Sequence, residues 1–375
     1  MSYLILSDFW VLFMRKIKVL VVDDAVVVRK IVTDTLGSDP EIEVIATAAN
    51  GKIALQKIQQ LNPDILTLDI EMPEMDGIET LTEARKLYKD LPIIMFSTLT
   101  ERGGSKTLEA LSLGATDYVT KPANVGSVSI AKQRIRDELI PKIKMFCAGK
   151  AGTKTPVAAI PKPVEKTAAP VIKKQFRPRP ANQKIEIVAI GVSTGGPNAL
   201  AELFPTLPGD LPVPIVLVQH MPPFFTKLLA ERLSSKSPVD IQEGKSGEKL
   251  QPGKAWIAPG DYHMVLEKKA DGVYLKTNQD PQENSCRPAV DPLFRSVSDI
   301  YGPNVLAVVL TGMGQDGMKG CEQIKDKSGY VIVQDEKTSV VWGMPGFVAR
   351  EGLADEILPL NQIGPKIISI VKKNR

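Results

Sequence analysis

Apolar and polar positions alternate along this chain in two separate blocks. From residue 17 to 146 short runs rich in Val, Ile and Leu recur, and segments of helical period fill the gaps between them. The runs Lys18–Val22, Ile42–Ala46, Ile65–Leu68, Ile93–Ser97 and Asp117–Thr120 are predicted strands. Short apolar strands joined by crossover helices imply a five-stranded, doubly wound parallel sheet. A second block starts near 185 with the apolar runs IVAI, VPIVLV, NVLAVVL and GYVIV. It predicts a Rossmann-like α/β domain with a mostly parallel sheet. PGKAWIAPGDYHMVLE and GVYLKT read as short strands between Pro-Gly and Asp-Gly turns, a small antiparallel extension. SCRPAVDPLFRSVSDI returns to helical spacing, and PKIISIVKKN reads as a capping amphipathic helix. Trp342 and Met344 stand in a turn where they could line a crevice, core packing being the more ordinary role.

The stretch between the blocks has neither period. Residues 141–184 hold seven prolines and eleven Lys+Arg against one acid, Glu165, a net charge of +10. The whole chain carries only +4, so the rest of the chain carries −6. The basicity thus belongs to a Pro/Lys-rich linker, which reads as a solubilising tether or as a contact for anionic lipid or an acidic partner. A nucleic-acid role for the folded parts loses its main support. The expected organisation is an extension over 1–14, a first domain over 15–140, the linker over 141–184 and a second domain over 185–375. The apolar N-terminal residues are too short to span a bilayer, and their basic residues follow the apolar run, where a signal peptide has them in front. Met14 then reads as the true start, and the protein as cytoplasmic and not membrane-embedded. Three cysteines without a CxxC suit a reducing compartment, and two histidines with no Cys/His cluster argue against zinc.

Within the second block, IVAIGVSTGGP carries one serine placed like a nucleophile. A strand running into a helix through Gly-Val-Ser-Thr-Gly-Gly exposes the Ser193 hydroxyl and aims backbone N–H groups at the same point. The same glycines would also suit the phosphate loop of a dinucleotide-binding unit. In such a unit the second strand ends in an acid, whereas here it ends in Gln219-His220. NVLAVVLTGMGQDG then presents Asp316 after a third strand. Serine, histidine and aspartate at the carboxyl ends of three parallel strands form an acyl-transfer constellation. Their order differs from that of the α/β-hydrolases, whose acid precedes the histidine.

GVSTGGP, VQHMP, APGDYHM, SCRPAVDPLF and LTGMGQDG, in that order, resemble the chemotaxis protein-glutamate methylesterases, the CheB family. The resemblance covers nearly all of 185–375. It implies a nucleophile at Ser193, a base at His220, an acid at Asp316 and oxyanion donors from the backbone near Thr194 and Met313. It also implies removal of methyl groups from chemoreceptor glutamates as methanol, and deamidation of receptor glutamines, with no cofactor for that reaction. His263 is the second candidate for the base, a structural or substrate-binding role being the more ordinary one.

In the first block, acids collect at predicted strand ends: Asp23 and Asp24 after the first and Asp69 after the third, with Lys121 after the fifth. Carboxylates facing one crevice repel one another unless a divalent cation joins them, and Mg²⁺ takes such oxygens. The bland reading is a solvated acidic rim. VVDDA, LTLDIEMPEMDG, FST and YVTKP resemble the flavodoxin-like receiver domain of response regulators. The resemblance implies phosphorylation of Asp69 by a chemotaxis histidine kinase, with Mg²⁺ held by Asp23, Asp24, Asp69 and the Glu71 carbonyl. It further implies Ser97 as the switch hydroxyl, where threonine is common, Tyr118 as the switch aromatic and Lys121 as the salt-bridging lysine. Phosphorylation is expected to uncover the esterase site. A receiver-coupled transcription factor and a catalytically dead binding module are the competing classes.

Overall fold

The structure is a computed structural model that describes residues 15–121, 128–148 and 183–373. The extension over 1–14 and the stretch from 149 to 182 lie outside the described residues. The chain divides into two compact units, Met1–Ile172 and Lys173–Arg375.

In the first unit, β1 (Ile17–Val22), β2 (Ile42–Ala48), β3 (Ile65–Asp69), β4 (Ile93–Ser97) and β5 (Asp117–Thr120) form one sheet. Its strand order is β2-β1-β3-β4-β5 and every pairing is parallel. Both faces are covered, so β3 and β4 are buried at every residue, as the continuous apolar runs require. The order reverses at β1 and β3, which opens a crevice beyond their carboxyl ends. The helix Gly77–Leu87, two turns of chain beyond Asp69, is fixed at its start by a capping box between Asp76 and Glu79.

One expected boundary moves. The chain does not leave the fold at 141: the helix Ile140–Cys147 continues it, and Ile143 and Cys147 are fully buried in the core with Val19, Val32 and Leu36. Pro141 has no N–H to donate and would collide with the carbonyl one turn back in a regular α-helix. The chain avoids this by passing through a π-helical turn, Ile135–Leu139, where the Ile140 N–H reaches Ile135 O.

The second unit is built on seven strands: β6 (Ile187–Val192), β7 (Ile215–Gln219), β8 (Asp240–Glu243), β9 (Lys254–Ile257), β12 (Val305–Val309), β13 (Tyr330–Gln334) and β14 (Glu356–Leu358). Their order is β14-β13-β12-β6-β7-β9-β8, with parallel pairing throughout. β10 (His263–Lys269) and β11 (Gly272–Asn278) pair antiparallel, as a separate hairpin. KAWI, expected in that extension, instead completes the main sheet between β7 and β8: Ala255 and Trp256 pair with Ile215 and Val216. The helix Val290–Tyr301 packs its buried face, Leu293, Phe294 and Val297, on the sheet. The C-terminal helix Leu360–Lys372 buries Ile363, Ile367 and Val371. Chain order reverses across β6, with β7 on one side and β12 on the other, so the crevice of this sheet opens beyond those three strands.

Candidate active site

Each of the three strands that border the reversal in the second unit delivers one side chain. Val192 pairs with Gln219 at the last rung between β6 and β7, and Ser193 and His220 follow immediately. The turn after β6 is held open by two features. Gly195 has φ +79°, in the left-handed region where a side chain is strained. Gly312, in the turn after β12, lies so close that an added Cβ would stand 2.8 Å from Ser193 Cβ and 2.4 Å from Met344 Sδ. The Ser193 N–H donates to Thr311 O at 3.0 Å, and Gln219 Nε2 donates to the carbonyls of Ser193 and His220 at 3.0 and 3.1 Å. The turns that carry Ser193 and His220 are thereby tied into one unit.

His220 Nδ1 lies 3.1 Å from Ser193 Oγ, and Nε2 lies 2.7 Å from Asp316 Oδ2. A carboxylate only accepts, so Nε2 carries the proton of the neutral ring and Nδ1 is left to accept from the serine hydroxyl. Asp316 is buried and held by four further donors. Val290 N–H reaches Oδ2 at 2.6 Å; Asp291 N–H, Gly317 N–H and Asn284 Nδ2 reach Oδ1 at 3.0, 2.9 and 2.9 Å. Two of these N–H groups open the helix Val290–Tyr301, whose positive end favours an anion. Burial alone would raise the Asp316 pKa, but the His220 hydrogen bond and charge and the backbone donors outweigh it and leave it below the usual carboxylate range. His220 is pushed up to about 10: burial pulls it down, while the charge of Cys286 and the hydrogen bond to Asp316 push it further the other way.

Among the described residues, the Thr194 and Met313 N–H groups have no hydrogen-bond partner within the protein. Thr194 adjoins Ser193, and Met313 follows Gly312, which touches it. His263 is buried and bound on both ring nitrogens, Nε2 to Pro281 O at 3.1 Å and Nδ1 to Ala289 N–H at 3.2 Å, so its role is structural. Met344 is wholly in the core, and Trp342 donates to Gln334 O at 2.9 Å.

Three neighbours carry no role in the reading from sequence. Asn284, with φ +52°, bridges Asp291 Oδ2 at 3.1 Å and Asp316 Oδ1. Asp291 is buried beside Asp316, and burial together with that charge raises its pKa. Cys286 Sγ stands 3.6 Å from His220 Nδ1. All three lie in or beside SCRPAVDPLF, and the signal for them was the motif itself, whose loop folds back onto the acid.

In the first unit, oxygens of Asp23, Asp24 and Asp69 lie within 4.8 Å of one another. Lys121 Nζ bridges Asp69 Oδ2 at 2.5 Å and Asp23 Oδ2 at 3.2 Å. Burial, then the charge of Asp23, raises the Asp69 pKa to about 6, with Lys121 opposing. Asp23 is raised likewise, chiefly by burial. The Glu71 carboxylate points away, ion-paired with Arg102 at 3.2 Å and Lys106 at 3.8 Å, so only its backbone remains available to the pocket. Ser97 Oγ is buried and turned to Gly103 O at 3.1 Å, with Thr107 Oγ1 at 2.6 Å. Tyr118 lies under Lys142, whose Nζ is 5.6 Å from the ring centre and donates to Tyr118 O at 2.8 Å.

A doubly wound unit with an acidic pocket, followed by a parallel-sheet unit with a serine, a histidine and an aspartate in contact, defines a class of two-domain proteins. Residues 19–131 match the response regulator receiver domain and residues 188–367 match CheB methylesterase. A protein of Trichodesmium erythraeum named protein-glutamate methylesterase/protein-glutamine glutaminase is 52% identical over 95% of this chain and 99% of its own length. One of the same name from Nocardioides sp. is 51% identical over 96% of this chain and 97% of its own length. The crystal structure of the Thermotoga maritima CheB methylesterase catalytic domain is 46% identical, covers 50% of this chain and all of its own, and gives a TM-score of 0.49. The chain belongs to the CheB methylesterase family, in the form that carries an N-terminal receiver domain.

Proposed function

We propose that the second unit hydrolyses glutamate methyl esters on chemoreceptors, releasing methanol, and deamidates receptor glutamines at the same site. The observation that carries this is the unbroken chain from Ser193 Oγ through His220 to the buried Asp316 carboxylate. A serine hydroxyl is a weak nucleophile, so His220 Nδ1 removes its proton as Oγ attacks the ester carbonyl. Asp316, already saturated with donors, fixes the ring and stabilises the imidazolium without itself taking the proton. The unpaired N–H groups of Thr194 and Met313 are the donors available to the tetrahedral oxyanion. Methoxide leaves as methanol with the imidazolium proton, and water, deprotonated by the same nitrogen, cleaves the acyl-serine. For a glutamine the leaving group is ammonia.

The first unit acts as the control. Asp69 offers a carboxylate oxygen to the phosphoryl group of a histidine kinase or small phosphodonor, and Lys121 pairs with the charge this adds. The donor chemistry fits Mg²⁺: three clustered carboxylates, two of them with raised pKa, and a buried Asp23 Oδ2 that makes no well-aligned hydrogen bond. Asp23, Asp24, Asp69 and the Glu71 carbonyl would hold it, and when bound the cation neutralises charge on the phosphoryl oxygens. Ser97 would exchange Gly103 O for the phosphoryl group, and Tyr118 would follow. The test is methanol release from methylated receptor fragments by wild type and Ser193→Ala. Release that disappears in the variant supports the reading; release that survives removes Ser193 from it, and no release by wild type favours a binding module.

A further inference from the structure

Two hydrogen-bearing groups, and not one, address the catalytic nitrogen of His220. Ser193 Oγ is 3.1 Å from Nδ1 and Cys286 Sγ is 3.6 Å from the same atom, within reach of a hydrogen bond to sulfur. The neutral ring has a single lone pair there, because Nε2 is committed to Asp316. It therefore accepts from one of the two at a time. Cys286 is half-exposed and free, and it sits just after Asn284 and Ser285, whose φ values of +52° and +60° turn the loop back toward the imidazole.

We propose that Cys286 is a positioning residue for the catalytic base: its thiol competes with the Ser193 hydroxyl for Nδ1, and passage of its proton to that nitrogen sets the base aside. In that step the S–H bond breaks and an N–H bond forms, leaving a thiolate beside an imidazolium with no electron gained or lost. Ser193 is then activated only from the form in which the proton has returned to sulfur, or after the pair has lost it to solvent. The inference rests on the Ser193–His220–Asp316 reading and adds a regulation to it. The charged and titratable groups that bear on His220 come from several elements. Asp316 faces Nε2, with Asp291 and Asn284 behind it. Arg295, from the helix Val290–Tyr301, acts on both carboxylates while paired with Glu283. Among the described residues, the group of this kind on the Nδ1 side is Cys286. The elevated His220 pKa agrees with such a pair, since the charge of Cys286 is the largest influence raising it.

The other two cysteines, Cys147 and Cys321, are fully buried, so alkylation of the folded chain reads Cys286 alone. Iodoacetamide is the probe: the thiolate displaces iodide and forms a C–S bond, and the single added mass is followed with time. In the full chain at pH 7, His220→Gln should slow this alkylation at least 10-fold, because the group that draws the thiol proton is gone. In the second measurement, kcat/KM for methanol release is followed against pH. Wild type should keep rising into the alkaline range. In Cys286→Ser and Cys286→Ala the midpoint should fall by at least one pH unit, and activity at pH 7 should rise at least threefold. Serine at 286 keeps the size of the side chain, so a shift shared by both variants separates proton competition from packing. Equal alkylation rates in wild type and His220→Gln, or superimposable pH profiles, would overturn the proposal. Methanol release that survives Ser193→Ala overturns the triad reading instead, and the alkylation rates still decide the place of Cys286.

Discussion

Asp69, proposed above as the phosphoacceptor, carries a cost to folding. Its pKa in the fold is about 6 against an ordinary 3.8, so the native state holds the proton more tightly than the unfolded chain. The sign follows: this group destabilises the fold progressively as pH rises from about 4 to 6, and fully above that range. Asp69→Asn should therefore stabilise the first unit at pH 7.5 by about 2 kcal/mol. Thermal unfolding should show the gain at pH 7.5 and little of it at pH 4. Asn284 has the opposite value, since one amide donates to two neighbouring carboxylates, Asp291 and Asp316. Asn284→Ala should cost about 1–3 kcal/mol of stability and lower kcat more than it raises KM, measured by denaturant titration and methanol release. At this scale Ser193 and His220 were legible because each follows an apolar strand directly, and Asp316 because a glycine-rich turn after the third strand presents it. Asn284 and Cys286 were not, because two consecutive left-handed residues fold their loop back, and no periodicity announces that.

Strands were the most readable elements. β4 and β5 fall where the apolar runs place them, and β1, β2 and β3 differ by one or two residues at an end. KAWI was assigned to the wrong sheet because four residues flanked by Pro-Gly turns look alike in a hairpin and at the margin of a parallel sheet. The helix Ile140–Cys147 was hidden by Pro141 and its lysines, which read as linker composition. Only the π-turn before it shows how the chain accommodates the proline. Burial of Ile143 carries a stability prediction. Ile143→Ala in the full chain should lower the unfolding free energy of the first unit by about 2–5 kcal/mol and leave that of the second unchanged. Two resolved calorimetric transitions, of which one moves, are the expected result.

Across the whole molecule, two parallel sheets place their reactive side chains by one rule, at strand ends beside the reversal of chain order. The division into units with separate cores was legible from the change to proline and lysine between them. If the first unit controls the second as proposed, the coupling must show in the rate of methanol release, because a ligand or modification shifts a conformational equilibrium only by its preference for one form. With Mg²⁺ and a small phosphodonor, methanol release by wild type should rise at least 10-fold. Asp69→Asn should keep the basal rate and lose the stimulation. Mg²⁺ alone should raise the first unit's unfolding temperature, as a ligand of the native state does, and less so in Asp69→Asn.

The register of the second sheet has a further consequence, for engineering. Ser193 and His220 follow the rung Val192–Gln219, so those two side chains are spaced by backbone pairing, while Asp316 is carried by the turn that follows Val309, itself paired with Gly191 one strand over. Tolerance to inserted sequence must then be lopsided. A peptide tag at Gly209–Asp210, exposed before β7 enters the sheet, lies a strand's length from the chemistry and should be silent. One residue added at 193–195 or 311–317 would shift the spacing itself. An insertion scan of this domain should draw, as a map of sensitivity, the outline of one edge of a sheet.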